Sequence, residues 1–246
     1  MDQVHKFGRL APAPQRLADL TAYARRPLPA PPAEVVAPAL VYPMDGNQTY
    51  GDCTIAAAQH ADQVWAHLEE FAYEPPAESV IASTYFALTG GADTGLVEAT
   101  VLKAWQTEGL FGNKIAAYAP IAPKHLVTVK QAVELFGLAY TGILVPAVAE
   151  EQFSAGQTWE LTGGSADHNI VGGHAVPIVG YNATGPIFVT WGQLQQATWR
   201  WWLTYAEECW CIIGAEVAQA GHLHGLDLAA LQADLAAVAD PAHVLP

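Results

Sequence analysis

Cys53, in "NQTYGDCTIAAAQHADQVW", follows a Gly-Asp turn and opens an alanine-rich stretch that the pattern reads as a helix. A thiol at a helix N-terminus lies among unpaired backbone N–H groups. Their partial positive charge favours thiolate and lowers its pKa. His174, in "VGGHAVPIVGY", heads a β-like run about 120 residues later. Cysteine plus histidine is the minimal set for nucleophilic hydrolysis: the thiolate attacks a carbonyl, the imidazole handles the proton, and nearby donors hold the oxyanion. Taken alone, Cys53 also fits a small buried residue at a helix start. His60 falls on nearly the same helix face as Cys53 and reads as a packed core histidine, and His168 as a loop residue beside the cleft. The pair His222 and His224 lacks a third ligand, so no metal site is assigned. Gly90-Gly91 and Gly163-Gly164 read as turns, and the Trp199, Trp201, Trp202 group as core.

The elements that must bring Cys53 and His174 together change character along the chain. Residues 1–44 are proline-rich and expected to be extended, as an arm that wraps the domain or as a free tail, with a short helix near 15–25. Residues 52–72, the stretch after Pro76, and "GLVEATVLKAWQTEGLFG" read as helices, the first turned and capped by Gly51-Asp52. "VKQAVELFG" reads as a helix, "AYTGILV", "GGHAVPIVGYN" and "PIFVTWG" as strands, and "LDLAALQADLAAVAD" as an amphipathic helix capped by Asp227 or by the residues before it. The expected organisation is an α+β domain over 45–220, with a helical lobe over 45–130 and an antiparallel β-rich lobe over 131–220. A helical tail occupies 221–246. A strand from the second lobe then carries His174 to a helix of the first.

This order resembles the papain-like cysteine peptidases over residues 45–195. "NQTYGDCTIAA" is similar to the family's cysteine segment and "GGADTGLVEATVLKAWQTEGL…AYAPI" to its Gly-rich loop and helix. "GGHAVPIVGYN…IFVTWG" is similar to its histidine and tryptophan strands. The His-Ala-Val…Val-Gly-Tyr run with Trp-Gly is the most specific part; the tight Cys-Gly-Ser-Cys-Trp form is absent. The resemblance implies a two-lobed papain-like fold, Cys53 as nucleophile and His174 as general base. It places Asn47, six residues before Cys53, where the family has its oxyanion glutamine, with Gln48 the alternative one place on. Trp191 matches the tryptophan that shields the catalytic pair. The family's imidazole-orienting asparagine falls at Val189, which has no polar group; Thr190 is adjacent, but strand alternation turns it away unless the backbone is bulged. The N-terminal arm is shorter than the family's long inhibitory propeptides, so no zymogen control is expected.

The implied function is hydrolysis of an amide, peptide or isopeptide bond through an acyl-enzyme, with no cofactor and with a peptide or protein substrate between the lobes. The alternative is a catalytically silent scaffold in a larger assembly such as a virion, with protein partners. The chain carries 10 Lys+Arg against 24 Asp+Glu, a net charge of −14, which argues against nucleic acid and anionic membranes as partners. No signal-peptide core or apolar run of membrane-spanning length is present, so cytoplasmic synthesis is expected. The three cysteines form no disulfide framework.

Overall fold

A computed structural model describes residues 5–14, 16–219 and 223–239. His222 and the last residues of the expected tail lie outside them. Helix α1 (Cys53–Leu68) is buried on nearly every side. Its alanines, Ala56, Ala57, Ala58, Ala61 and Ala66, let neighbouring elements approach the helix backbone closely. Helices α2 (Glu78–Thr89) and α3 (Glu98–Thr107) complete a helical lobe. α2 ends at Gly90 in the left-handed conformation that glycine adopts without a Cβ clash.

Strands β1 (Ile115–Pro120), β2 (Ala139–Pro146), β3 (Ile170–Tyr181), β4 (Pro186–Thr190), β5 (Gln193–Gln196) and β6 (Ala206–Gly214) form one antiparallel sheet. The strand order is β1-β6-β2-β3-β4-β5. Helices α4 (Leu126–Phe136), α5 (Ala147–Ser154), α6 (Trp199–Tyr205) and α7 (Ala215–Gln219) connect or follow the strands, and α8 (Leu228–Ala239) closes the described chain. The fold is α+β, as the sequence pattern predicts. One departure is β1: it lies inside the segment expected to be helical and pairs with β6, covering an edge that would otherwise expose unpaired backbone. Another is α6, a helix from 199 to 205: the aromatic run "ATWRWWLTYAEECWCIIGAEV" reads as β with one helical turn around 203–208, and the helix starts earlier; Trp201 and Trp202 are buried, and Trp201 stacks on Trp159 at 4.8 Å.

The proline-rich arm wraps the domain. Val35 pairs with Tyr181 at the sheet, and the expected helix near 15–25 shrinks to one 3₁₀ turn at Leu20–Tyr23. Helix α8 is capped by Asp227, whose Oδ1 accepts from the Ala230 N–H at 3.1 Å. It is braced by Gln232 on the Ala116 carbonyl of β1 and by Tyr23 on Asp234. No helix of the described residues is long and apolar enough to cross a membrane.

Two contacts seat α1, one on the end of α4 and one on the sheet. The Trp65 indole donates to the Phe136 carbonyl at 2.8 Å, and the buried Tyr140 hydroxyl of β2 donates to the Thr54 carbonyl at 2.6 Å. The second fixes the first turn of α1, the turn that begins with Cys53. Tyr140→Phe should therefore lower stability by about 1 kcal/mol with little change in denaturant m-value, measured by urea unfolding.

Candidate active site

Cys53 begins α1, and its thiol is buried at the seam with β3. The Ala175 N–H, next in the chain to His174, donates to the Cys53 sulfur at 3.4 Å. The structure thus brings the backbone next to His174 against the Cys53 sulfur.

The imidazole of His174 is held on two sides. Its Nε2 is 2.8 Å from the Thr190 hydroxyl, and Trp191 stacks on the ring with centroids 4.8 Å apart. His174 Nδ1 is buried and makes no hydrogen bond among the described residues. Thr190, not Val189, therefore faces the imidazole, correcting the expectation from spacing. The pairing of Ile178 with Phe188 explains why. By period-two alternation His174, Val176 and Ile178 share a face with Phe188 and Thr190, while Val189 faces away. Trp191 has a left-handed backbone (φ 45°) in the β4–β5 turn, so counting back from the tryptophan does not count positions along a regular strand.

The two oxyanion candidates separate. Gln48 donates to Glu78 at 3.0 Å in an exposed position at the start of α2. Asn47 is buried at the α1 N-terminus, with its amide donating to Asp52 Oδ1 at 3.2 Å. Asp52 does not cap α1 through its side chain, contrary to expectation, because its backbone (φ −97°, ψ 15°) is not extended as a capping residue requires. Burial pushes the Asp52 carboxyl up to about 8, so it is largely protonated at neutral pH. His60 is a buried core histidine 3.0 Å from the Pro43 carbonyl, its pKa pushed down by burial to about 4.

What sequence reasoning missed is where the start of the N-terminal arm docks. Residues 5–10 run through the cleft between the lobes. On the helical side, the Lys6 N–H donates to the Asn47 carbonyl (2.8 Å), the Leu96 N–H to the Gly8 carbonyl (2.8 Å) and the Leu10 N–H to the Leu96 carbonyl (3.0 Å). On the sheet side, the Arg9 N–H donates to the Gly173 carbonyl at 3.1 Å. The Gly8 backbone N–H is near enough to the Cys53 sulfur to oppose the rise of its pKa. Phe7 meets the edge of His174, and His5 stacks on the far face of Trp191 at 4.0 Å. A short segment suffices because it makes sheet-like bonds to both walls and needs no folded domain of its own. Gly8 is required: a Cβ there would lie 1.7 Å from the Gly51 carbonyl oxygen. A proline-rich neighbourhood signals extended chain but not where that chain docks.

The arm changes the electrostatics. Burial raises the Cys53 pKa to about 11 despite the N–H groups of Ala175 and Gly8. Burial, with the nearby cations His5 and Arg9, lowers His174 to about 3. With the arm in place the pair is a neutral thiol beside a neutral imidazole, the reverse of the activated thiolate that the helix N-terminus alone suggests.

No protein-family model matches this sequence. No curated protein matches it either. Solved structures do. The cysteine protease xylellain from Xylella fastidiosa superposes with a TM-score of 0.64 at 14% identity, over 87% of this chain and 98% of that one. The cysteine protease and lectin-like domains of Cwp84, a surface-layer-associated protein of Clostridium difficile, superpose with a TM-score of 0.60 at 10% identity. That match covers 85% of this chain and 56% of that one. The chain has the papain-like fold. The resemblance noted in the sequence therefore holds at the level of backbone architecture.

With the thiol buried and protonated, Cys53 of the intact chain should react with iodoacetamide at least about tenfold more slowly than free glutathione between pH 6 and 9. Mass-spectrometric peptide mapping over a time course checks this; labelling at the glutathione rate would mean that the arm does not cover the thiol.

Proposed function

We propose that the chain is a papain-like cysteine hydrolase that cleaves an amide, peptide or isopeptide bond, held closed by its own residues 5–10. The observation that carries this reading is the clamped imidazole. His174 is bonded through Nε2 to Thr190, covered by Trp191, left with an unpartnered Nδ1, and set beside the residue that touches the Cys53 sulfur. A buried ring nitrogen without a partner is costly in a purely structural histidine. It is what a proton acceptor for a neighbouring thiol requires. Similarity to two cysteine proteases supports a peptide or protein substrate.

In this mechanism a proton on Nε2 bonds to the Thr190 hydroxyl, leaving the Nδ1 lone pair for the thiol proton. Transfer from Cys53 gives thiolate and imidazolium, and the sulfur adds to the substrate carbonyl. The oxyanion is held by the Cys53 backbone N–H, which a helix start leaves without an intrahelical partner, and by the Asn47 amide. Collapse breaks the C–N bond as His174 gives its proton to the leaving amine. Water, deprotonated by His174, then attacks the thioester and expels Cys53. Gln48, tied to Glu78, takes no part. In this scheme the catalytic domain falls within residues 45–220, residues 5–10 of the arm cover its cleft, and helix α8 braces it.

The arm can be removed from the cleft without touching any of these groups. Gly8→Val in the full chain collides with the Gly51 backbone, so it should raise both Cys53 alkylation at pH 7 and hydrolysis of a casein-type fluorogenic substrate over the unmodified chain. Within that background, Cys53→Ala should abolish turnover, His174→Ala should lower kcat by about 100-fold or more, and Thr190→Val by about tenfold. A Gly8→Val protein that is folded and freely alkylated yet cleaves nothing would favour the silent scaffold.

A further inference from the structure

Arg9 is buried in a pocket built of acids and glycines. Its side chain is 1% exposed. Nη1 donates to Glu208 Oε1 at 2.8 Å and to the Leu10 carbonyl at 3.2 Å, and Nη2 pairs with Glu207 at the rim. Glu98, in the first turn of α3, is fully buried within electrostatic reach of both Arg9 and Glu208. The Trp210 indole donates to the other oxygen of Glu208 at 3.3 Å.

Two glycines make the room. A Cβ on Gly142 would meet Arg9 Cδ at 2.6 Å, Glu208 Cγ at 2.7 Å and Glu98 Oε1 at 2.8 Å. A Cβ on Gly173 would lie 2.4 Å from the Arg9 carbonyl oxygen and 3.4 Å from Nε and Nη2. The pocket walls come from α3, β2, β3 and β6, all parts of the folded domain. Only the occupant comes from the arm.

When the arm leaves, three carboxyl groups remain around a cavity shaped for a planar, charged side chain. Its position is set by the backbone: the Arg9 N–H donates to the Gly173 carbonyl, one residue before His174, and the Gly8 carbonyl accepts from Leu96 on the opposite wall. We infer that this pocket is the cleft's side-chain recognition site, selecting peptides with arginine one residue removed from the residue held at Cys53. The placement relative to Cys53 matters for cleavage only if the hydrolase reading above is right; selective binding does not depend on it. Arginine is preferred over lysine because its fork reaches Glu207 and Glu208 at once, whereas an ammonium group is a point charge. Burial opposes the Arg9 charge, but Glu98, Glu207 and Glu208 outweigh it and raise the guanidinium pKa, while burial pushes the Glu98 carboxyl itself well up.

The test uses the full-length Gly8→Val/Cys53→Ala protein, whose cleft is open and which turns nothing over. Fluorescence anisotropy would compare a labelled acetyl-Phe-Gly-Arg-Leu peptide, in the order of the arm, with its Leu-for-Arg and Lys-for-Arg counterparts. The arginine peptide should bind at least about tenfold more tightly than the leucine peptide, and Glu208→Gln should erase most of that difference. Equal affinities, tighter leucine binding or no binding of any peptide would overturn the inference. With Cys53 restored, cleavage without arginine preference would overturn the pocket and leave the hydrolase. Arginine-selective binding without cleavage would do the opposite. Should Gly8→Val fail to fold, Arg9→Ala in the full chain offers a second measurement. Millimolar ethylguanidinium should raise its melting temperature and ethylammonium should do so less; no shift with either ion would overturn the proposal.

Discussion

The site depends on one seam, where β3 passes the N-terminus of α1. There a strand amide from Ala175 meets the Cys53 sulfur, and the Tyr140 hydroxyl of β2 holds the Thr54 carbonyl. A helix start has free N–H groups and an edge of small side chains, so a strand can approach it closely without burying unpaired donors. The alanines of α1 keep that approach short. Once the seam is set, His174 lies next in the chain to the amide that meets Cys53, and the β3–β4 pairing brings Thr190 to its imidazole.

The arm exploits the same openness. A cleft with glycine backbone on its walls, at Gly51, Gly95 and Gly173, accepts another extended backbone at hydrogen-bonding distance, and residues 5–10 fill it with bonds to both sides. The electrostatic consequence is large because burial disfavours both charged forms of the pair, pushing the thiol up and the imidazole down. The buried cluster around Arg9 carries its own cost. Desolvating one guanidinium and several carboxyl groups offsets much of their attraction, so it is a poor device for stability alone and a better one for specifying a particular partner.

Much of this was legible from residue order. Periodicity in "CTIAAAQHADQVWAHL" and "GGHAVPIVGY" placed Cys53 at a helix start and His174 on a strand, and the resemblance carried by the His-Ala-Val…Trp-Gly run pointed to the fold. The third member of the site was not legible from spacing: Val189 sits at the counted position, yet the left-handed turn at Trp191 and the strand face put Thr190 there instead. Nor was the choice between Asn47 and Gln48, since adjacent residues in a turn differ only in which way the backbone aims them.

By itself the sequence determined most of the local states: which stretches are helical or extended, and that the first segment is extended and rich in proline. These follow from side-chain periodicity and backbone preference, which act over a few residues. Only the tertiary structure decided that the extended segment lies across the thiol, that Thr190 rather than Val189 holds the imidazole, and that Arg9 meets Glu98, Glu207 and Glu208. Those contacts join residues far apart in the chain, and their geometry is set by sheet register and by the closeness of two backbones, neither of which leaves a periodic trace in the sequence.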